Sequence, residues 1–161
     1  MLDVYKIRED FPILGKKVNN TDLIYFDNAA TSQTPNQVID VISDYYKQYN
    51  SNIHRGLHSL SADATNKYEN SRTIIKNHFG ASHEHEIIFT SGTTHGINII
   101  SSGLEKLISS KDELIVSEME HHSNIVPWQM LCEKTGSKLK VIPINDDGSL
   151  NMDEYLSLIH I

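Results

Sequence analysis

A single cysteine, Cys132, is all the thiol this 161-residue chain carries. That excludes an internal disulfide and any cysteine-rich zinc site, and it fits a reducing compartment. Basic residues are in the minority, 14 against 21 acidic, giving a formal charge of −7 with no block of like charges. Such a surface does not suit nucleic acid or an anionic membrane, so a small anionic ligand must be held by local geometry. No apolar run approaches the roughly 20 residues needed to span a bilayer. The opening MLDVYKIREDFPIL mixes acids and bases and lacks the basic-then-apolar layout of a secretory signal. The expectation is a cytoplasmic protein with neither a membrane nor a nucleic-acid partner. Internal repeats, low-complexity tracts and Pro/Gly/Ser linkers are also missing. At 39% hydrophobic residues, the chain is long enough for one domain with a real core.

What is present is an alternation of short apolar runs and helix-period segments. Val4 to Asp10 reads as a short helix, and Leu23 to Asp27 (LIYFD) as a short extended stretch entering the loop NAATSQ. Thr34, Pro35 and Gln37 have the spacing of a helix start, with Thr34 as cap, and that helix should run to about Tyr49. The polar loop NSNIHRGLHS leads to a long helix, about Ala62 to Phe79, stopped by Gly80. Strand–helix repeats follow: EIIFT (86–90) and a helix from Thr93 to about Ile108, then ELIVS (113–117) and a helix from about Asn124 to Lys134. KLKVIPI (138–144), the turn DDGS and a helix start with Asn151 and Glu154 in capping-box spacing complete the pattern. Short apolar strands alternating with helices predict an α/β fold with a parallel sheet covered on both faces. The last helix starts near Met152 and the sequence stops at Ile161 with its apolar face still being laid down, and three strands are few for a closed core. The expectation is therefore part of a longer protein.

Two stretches carry chemistry. In FTSGTTHGIN (89–98) a strand runs into Ser91, Gly92, Thr93 and Thr94 as a helix opens, so backbone N–H groups, the helix dipole and two hydroxyls converge in a phosphate cup. The lysine of a Walker loop and the three glycines of the dinucleotide fingerprint are missing, which disfavours nucleotide binding in those modes. On its own, such a turn is more often just a capped helix. In EMEHHSNIVPWQ (118–129) the next strand ends at Ser117 and the chain reaches His121 and His122 at the corresponding sheet edge, where ligands of open α/β sheets sit. The pair can offer an imidazole to the same crevice, or one histidine can be exposed while the other caps the following helix. His54 and His58 stand four residues apart, but HRGLH lacks the glutamate of a metalloprotease helix, so no metal site is expected.

YFDNAATSQTP, NIHRGLHSLSADAT, SGTTHGIN and EMEHHSNIVPWQ, in this order, resemble the N-terminal part of SufS-type cysteine desulfurases, class V pyridoxal-phosphate enzymes, over Val4 to about Leu158. The resemblance implies a fold-type-I large domain that is incomplete, with residues 1–60 an N-terminal segment and 61–161 the first part of the cofactor-binding domain. It implies that Thr93 and Thr94 bind the phosphate of pyridoxal 5'-phosphate. His121 would stack on the pyridine ring and assist proton transfer as the catalytic member of the pair, with His122 a structural neighbour. His54 and Arg55 resemble residues lining the substrate side near a dimer interface, and Asn28, Ala29 and Ala30 the loop beside the substrate carboxylate.

The implied activity converts L-cysteine, or L-selenocysteine, to alanine with a persulfide left on the enzyme. An acceptor or scaffold protein would take the sulfur for iron–sulfur cluster assembly, and the complete enzyme would be a homodimer. Other class V enzymes, a selenocysteine lyase or an aminotransferase, share these cofactor motifs; a non-catalytic phosphate- or partner-binding remnant is the reading of a different class. The chemistry needs a lysine to carry the cofactor, an aspartate at the pyridine nitrogen and a mobile cysteine, which in the family lie further along. None of the eleven lysines here sits in a Ser-x-His-Lys-like context after a strand. Cys132, in step with Trp128 and Leu131, reads as a buried helical thiol.

Overall fold

The computed structural model describes residues 2–159. The chain divides into two compact units, Met1–Ile87 and Ile88–Ile161; residue 60 falls inside the first.

In the first unit α1 spans Val4–Glu9 and begins at Asp3, whose carboxylate accepts from the Lys6 N–H. A hairpin follows, β1 (Lys17–Val18) against β2 (Thr21–Asp22). Asn19 and Asn20 turn it with φ of 51° and 62°, the two left-handed residues that a tight hairpin turn requires and that asparagine tolerates. Leu23 to Asp27 forms no strand. Helix α2 is Asn36–Asp44, and Thr34 does not cap it. Asp10 supplies the start instead: its carbonyl accepts from Asn36 N–H at 2.7 Å and its carboxylate from the Gln37 amide at 2.8 Å. A contact across 27 residues thus overrides a local capping pattern. The expected run to Tyr49 is completed by a wider π turn, Tyr45–Tyr49.

Helix α3, Ser59–Phe79, starts three residues earlier than expected because the His58 ring caps it, and it ends at Gly80 in the left-handed region. Ser61, 1% exposed, is the pivot: its hydroxyl donates to the Asn52 carbonyl and accepts from Gly56 N–H. A β-carbon on Gly56 would lie 2.5 Å from the Ser61 side chain, so this close approach demands glycine.

In the second unit α4 is Thr93–Leu104, β3 Glu113–Ser117, α5 Val126–Thr135, β4 Lys138–Ile142 and α6 Met152–Ile159; any continuation to Ile161 lies outside the described residues. Strands β3 and β4 pair in parallel, from Glu113 opposite Lys138 to Ser117 opposite Ile142, as a strand–helix–strand unit should. Helix α5 packs on β4 and α4 on α5, and Ser101 in α4 donates to the Pro127 carbonyl at 2.9 Å. Val116, Leu131, Cys132 and Ile142 make the buried centre. The Asn151 side chain accepts from Glu154 N–H at 3.0 Å, the expected cap of α6.

The expected strand at Glu86 to Thr90 is not formed. Glu84–Glu86 is a 3-10 turn, and although Ile87 takes extended angles, residues 87–90 join no ladder among the described residues. An apolar run can only become a strand if a neighbour answers its N–H and C=O groups.

Candidate active site

Helix α4 opens at Gly92, with φ 141° and ψ 175°. A β-carbon there would meet nothing within 4 Å, so the backbone conformation, not crowding, selects glycine. The first bond of the helix runs from Gly96 N–H to Gly92 O at 3.0 Å. The N–H groups of Thr93, Thr94 and His95 therefore precede the intrahelical ladder at the positive end of the dipole. Both threonines are exposed. The His95 ring reaches back, its Nδ1 3.2 Å from Ser91 N and 3.0 Å from the Ser91 hydroxyl, while Thr90 donates to Gly92 O at 3.1 Å. No carboxylate occurs between residues 89 and 98. Convergent N–H donors, two exposed threonines and no carboxylate within the turn itself fit a phosphate monoester.

His121 follows the end of β3. It precedes a 3-10 turn, His122–Asn124, and its Nδ1 accepts from Ser123 N–H at 3.1 Å, with the Ser123 hydroxyl at 2.9 Å. The neutral ring therefore carries its proton on Nε2. The ring is exposed and meets His122 edge-on, centroids 6.1 Å apart at 79°. His121 thus caps the turn with a ring that remains exposed. Helix α4 packs against this turn, so Thr93, Thr94 and His121 stand on elements held together in one unit.

Sequence reasoning missed what holds the loop. The Glu120 carboxylate accepts from the Ser117 hydroxyl at 2.7 Å and from the Asn124 amide at 2.8 Å, and Asn124 Oδ1 accepts from the Trp128 indole N–H at 2.9 Å. The Ser117 hydroxyl, then the Asn124 amide, hold the Glu120 carboxyl below the usual carboxylate range. The signal was present: Glu120, Asn124 and Trp128 are spaced four apart, the interval at which helical side chains meet.

The other candidates lie in the first unit. Asn28, Ala29 and Ala30 form an exposed turn after Asp27, whose carbonyl accepts from Ala30 and Thr31 N–H; the Tyr25 hydroxyl lies 2.7 Å from Thr31 O. Asn28 borders a cavity of about 650 Å³ that Phe11, Tyr25 and Phe26 also line. His54 adopts φ 65°. Its Nε2 is 2.7 Å from Glu69 Oε1, and its ring stands edge-on to Tyr68. Glu69 in turn accepts from Arg72 Nε at 3.2 Å, and Arg72 donates onward to the Ile87 carbonyl. Arg55 is exposed and pairs with no carboxylate among the described residues.

The class-V aminotransferase family matches residues 24–160. The chain belongs to that family. A curated relative from Staphylococcus epidermidis, named as a probable cysteine desulfurase, is 50% identical over 159 residues, 98% of this chain and 38% of its own length. A solved cysteine desulfurase from Thermococcus onnurineus NA1 superposes with a TM-score of 0.84 at 39% identity, over 96% of this chain and 37% of that one. One from Escherichia coli gives 0.79 at 29%, over 99% and 39%. The chain thus spans under two fifths of the length of the relatives it matches. It is an incomplete α/β large domain of a pyridoxal-phosphate-dependent family, as the motifs implied.

Proposed function

We propose that the chain supplies the phosphate cup and the stacking imidazole of a cysteine desulfurase. That enzyme would convert L-cysteine to L-alanine, retain the sulfur as a persulfide and pass it to an acceptor or scaffold protein for iron–sulfur cluster assembly. The observation that carries this reading is the pairing of the Gly92–Thr94 helix start with an oriented, exposed His121 on elements that pack together. Residues 1–60 are read as the N-terminal segment and 61–161 as the first part of the cofactor domain, in a cytoplasmic homodimer.

Bound pyridoxal phosphate supplies an electron sink for the α-carbon of the amino acid. This chain's residues bind and orient it. Thr93 and Thr94 would hold the phosphate through their hydroxyl and N–H groups, and Ser91 and His95 hold the turn in shape. His121 would hold the pyridine ring by stacking on it, with Nε2 as its proton-bearing nitrogen. By resemblance to the family, Arg55, which pairs with no carboxylate among the described residues, would offer its guanidinium to the substrate carboxylate, and His54 and Asn28–Ala30 would belong to the substrate side.

The test uses the full-length protein. Release of sulfide and alanine from L-cysteine is expected, and His121→Ala should weaken cofactor retention and change the visible band more than His122→Ala does. A more damaging His122→Ala, or no turnover of cysteine by the unaltered protein, overturns the reading.

A further inference from the structure

We propose that Glu120 is a positioning residue for His121, acting through Ser117, Asn124 and Trp128 to fix the turn on which the imidazole stands. The proposal rests on the reading that His121 stacks on the cofactor ring. Three residues separate the buried end of β3, Ser117, from His121, and a free loop of that length would let the ring wander. Here it is tied at both ends. At its start, Glu118 N–H donates to Ile142 O at 2.9 Å, and the Glu118 carboxylate accepts from Ile144 N–H at 3.1 Å, anchoring the loop beside β4. Next to the imidazole, the Glu120 carboxylate bridges the strand end to the 3-10 turn, one oxygen on Ser117 and the other on Asn124.

The amide of Asn124 is itself oriented, because only one arrangement puts its N–H₂ towards Glu120 and its oxygen towards the Trp128 indole N–H. Trp128 lies in α5, so strand, turn and helix are joined through four side chains. The backbone at Glu120 and the Ser123 contact to Nδ1 then leave the His121 ring little freedom to turn. An imidazole that must lie flat on a planar ring depends on such support, since small displacements of an oriented group are costly.

The chemistry separates positioning from simple loop stability. In Glu120→Gln the side-chain oxygen still accepts from Asn124, and the Ser117 hydroxyl can rotate to accept from the new amide, so both bonds survive. In Glu120→Ala neither does. The experiment titrates the full-length protein with pyridoxal phosphate and records the dissociation constant and the visible circular dichroism of the bound cofactor. The Trp128 indole N–H resonance reports the network separately.

Glu120→Ala is expected to raise the dissociation constant by about 2- to 10-fold and to reduce the dichroic band. Glu120→Gln should stay within about twofold of the unaltered protein. The double variant Glu120→Ala/His121→Ala should match His121→Ala alone, because a residue acting through another adds nothing once that other is gone. The proposal is overturned if Glu120→Ala moves the Trp128 resonance but neither cofactor readout, if Glu120→Gln is as harmful as alanine, or if the two substitutions add. Unchanged cofactor readouts in His121→Ala would instead overturn the stacking reading, and the proposal with it.

Discussion

The Glu69 carboxylate holds the His54 imidazole at 2.7 Å while the His54 backbone sits at φ 65°, a conformation that non-glycine residues seldom adopt. The hydrogen bond from His54, followed by the Arg72 contacts, lowers the Glu69 pKa below its ordinary 4.5. A carboxyl with a depressed folded pKa contributes stability that is fully present above the unfolded value and is lost as pH falls through the folded one. Carbon-13 titration of the Glu69 carboxyl in the full-length protein should therefore give a midpoint below 4.5. His54→Ala should move it upward. An unmoved midpoint would mean that the pair is not populated in solution.

Gly92 and the two threonines after it make separable contributions. Gly92→Ala forces a side chain into φ 141°, at a cost on the order of 1–3 kcal/mol, and should loosen the turn whatever ligand is offered. Thr93→Ala or Thr94→Ala leaves the backbone intact and removes one hydroxyl donor to a charged acceptor, a loss of about 1.5–3 kcal/mol. Binding of pyridoxal phosphate and of pyridoxal distinguishes the effects: the threonine variants should weaken only the phosphate-bearing compound. Equal weakening of both would place the threonines outside the phosphate site.

Gly56→Ala tests the loop that carries His54 and Arg55. The new methyl would stand 2.5 Å from the Ser61 Cβ and Oγ, and Ser61 is fixed by bonds to Asn52 and Gly56. Overpacking of this kind costs about 1–3 kcal/mol. Hydrogen exchange in the full-length protein should rise across residues 52–61 and stay level in β3 and β4. Uniform exchange throughout would show that the loop has room to give.

Cys132 is 8% exposed on α5, beside Leu131 in the buried centre of its unit. A nucleophile that must visit a substrate sulfur cannot work from there. Cys132→Ala in the full-length protein should keep sulfide release and lose about 1 kcal/mol of stability. The 161-residue chain alone, without the family's lysine context, should release no sulfide from cysteine. Turnover dependent on Cys132 would reverse both statements.

Elements whose signals are local were legible in the sequence. Gly80 ends α3, Thr93 opens α4, and Asn151 caps α6 through Glu154, each because the deciding bond spans a few residues. Where the deciding partner lies far away, the reading failed. Thr34 has the spacing of a cap, but Asp10 claims the helix start from 26 residues upstream of Asn36. EIIFT has the composition of a strand but finds no neighbour to pair with among the described residues. The His58 cap of α3 and the Asn19–Asn20 hairpin escaped because histidine is a weak capping signal and the strands are two residues long. The site divided in the same way. Thr93, Thr94 and His121 are candidates named from motif strings, whereas the bond from Ser117 to Glu120 depends on where Ser117 ends its strand.

The final prediction concerns the 161-residue polypeptide expressed by itself. Among the described residues its buried apolar side chains are few, Ala64 in one unit and Val116, Pro127, Leu131, Cys132 and Ile142 in the other. Phe26 at 94%, Leu57 at 107% and Ile88 at 70% exposure face water instead. The β3–β4 pair is two strands wide, and residues 87–90 join no sheet among the described residues, with Ile88 exposed in that stretch. Two-stranded sheets are marginal without further layers. The polypeptide should therefore show helical circular dichroism, bind hydrophobic dyes, self-associate and melt without a cooperative transition. Calorimetry on a monodisperse sample decides the matter. One sharp transition from a monomer would mean that these two units close their own cores, and would favour a free-standing phosphate- or partner-binding module over part of a desulfurase.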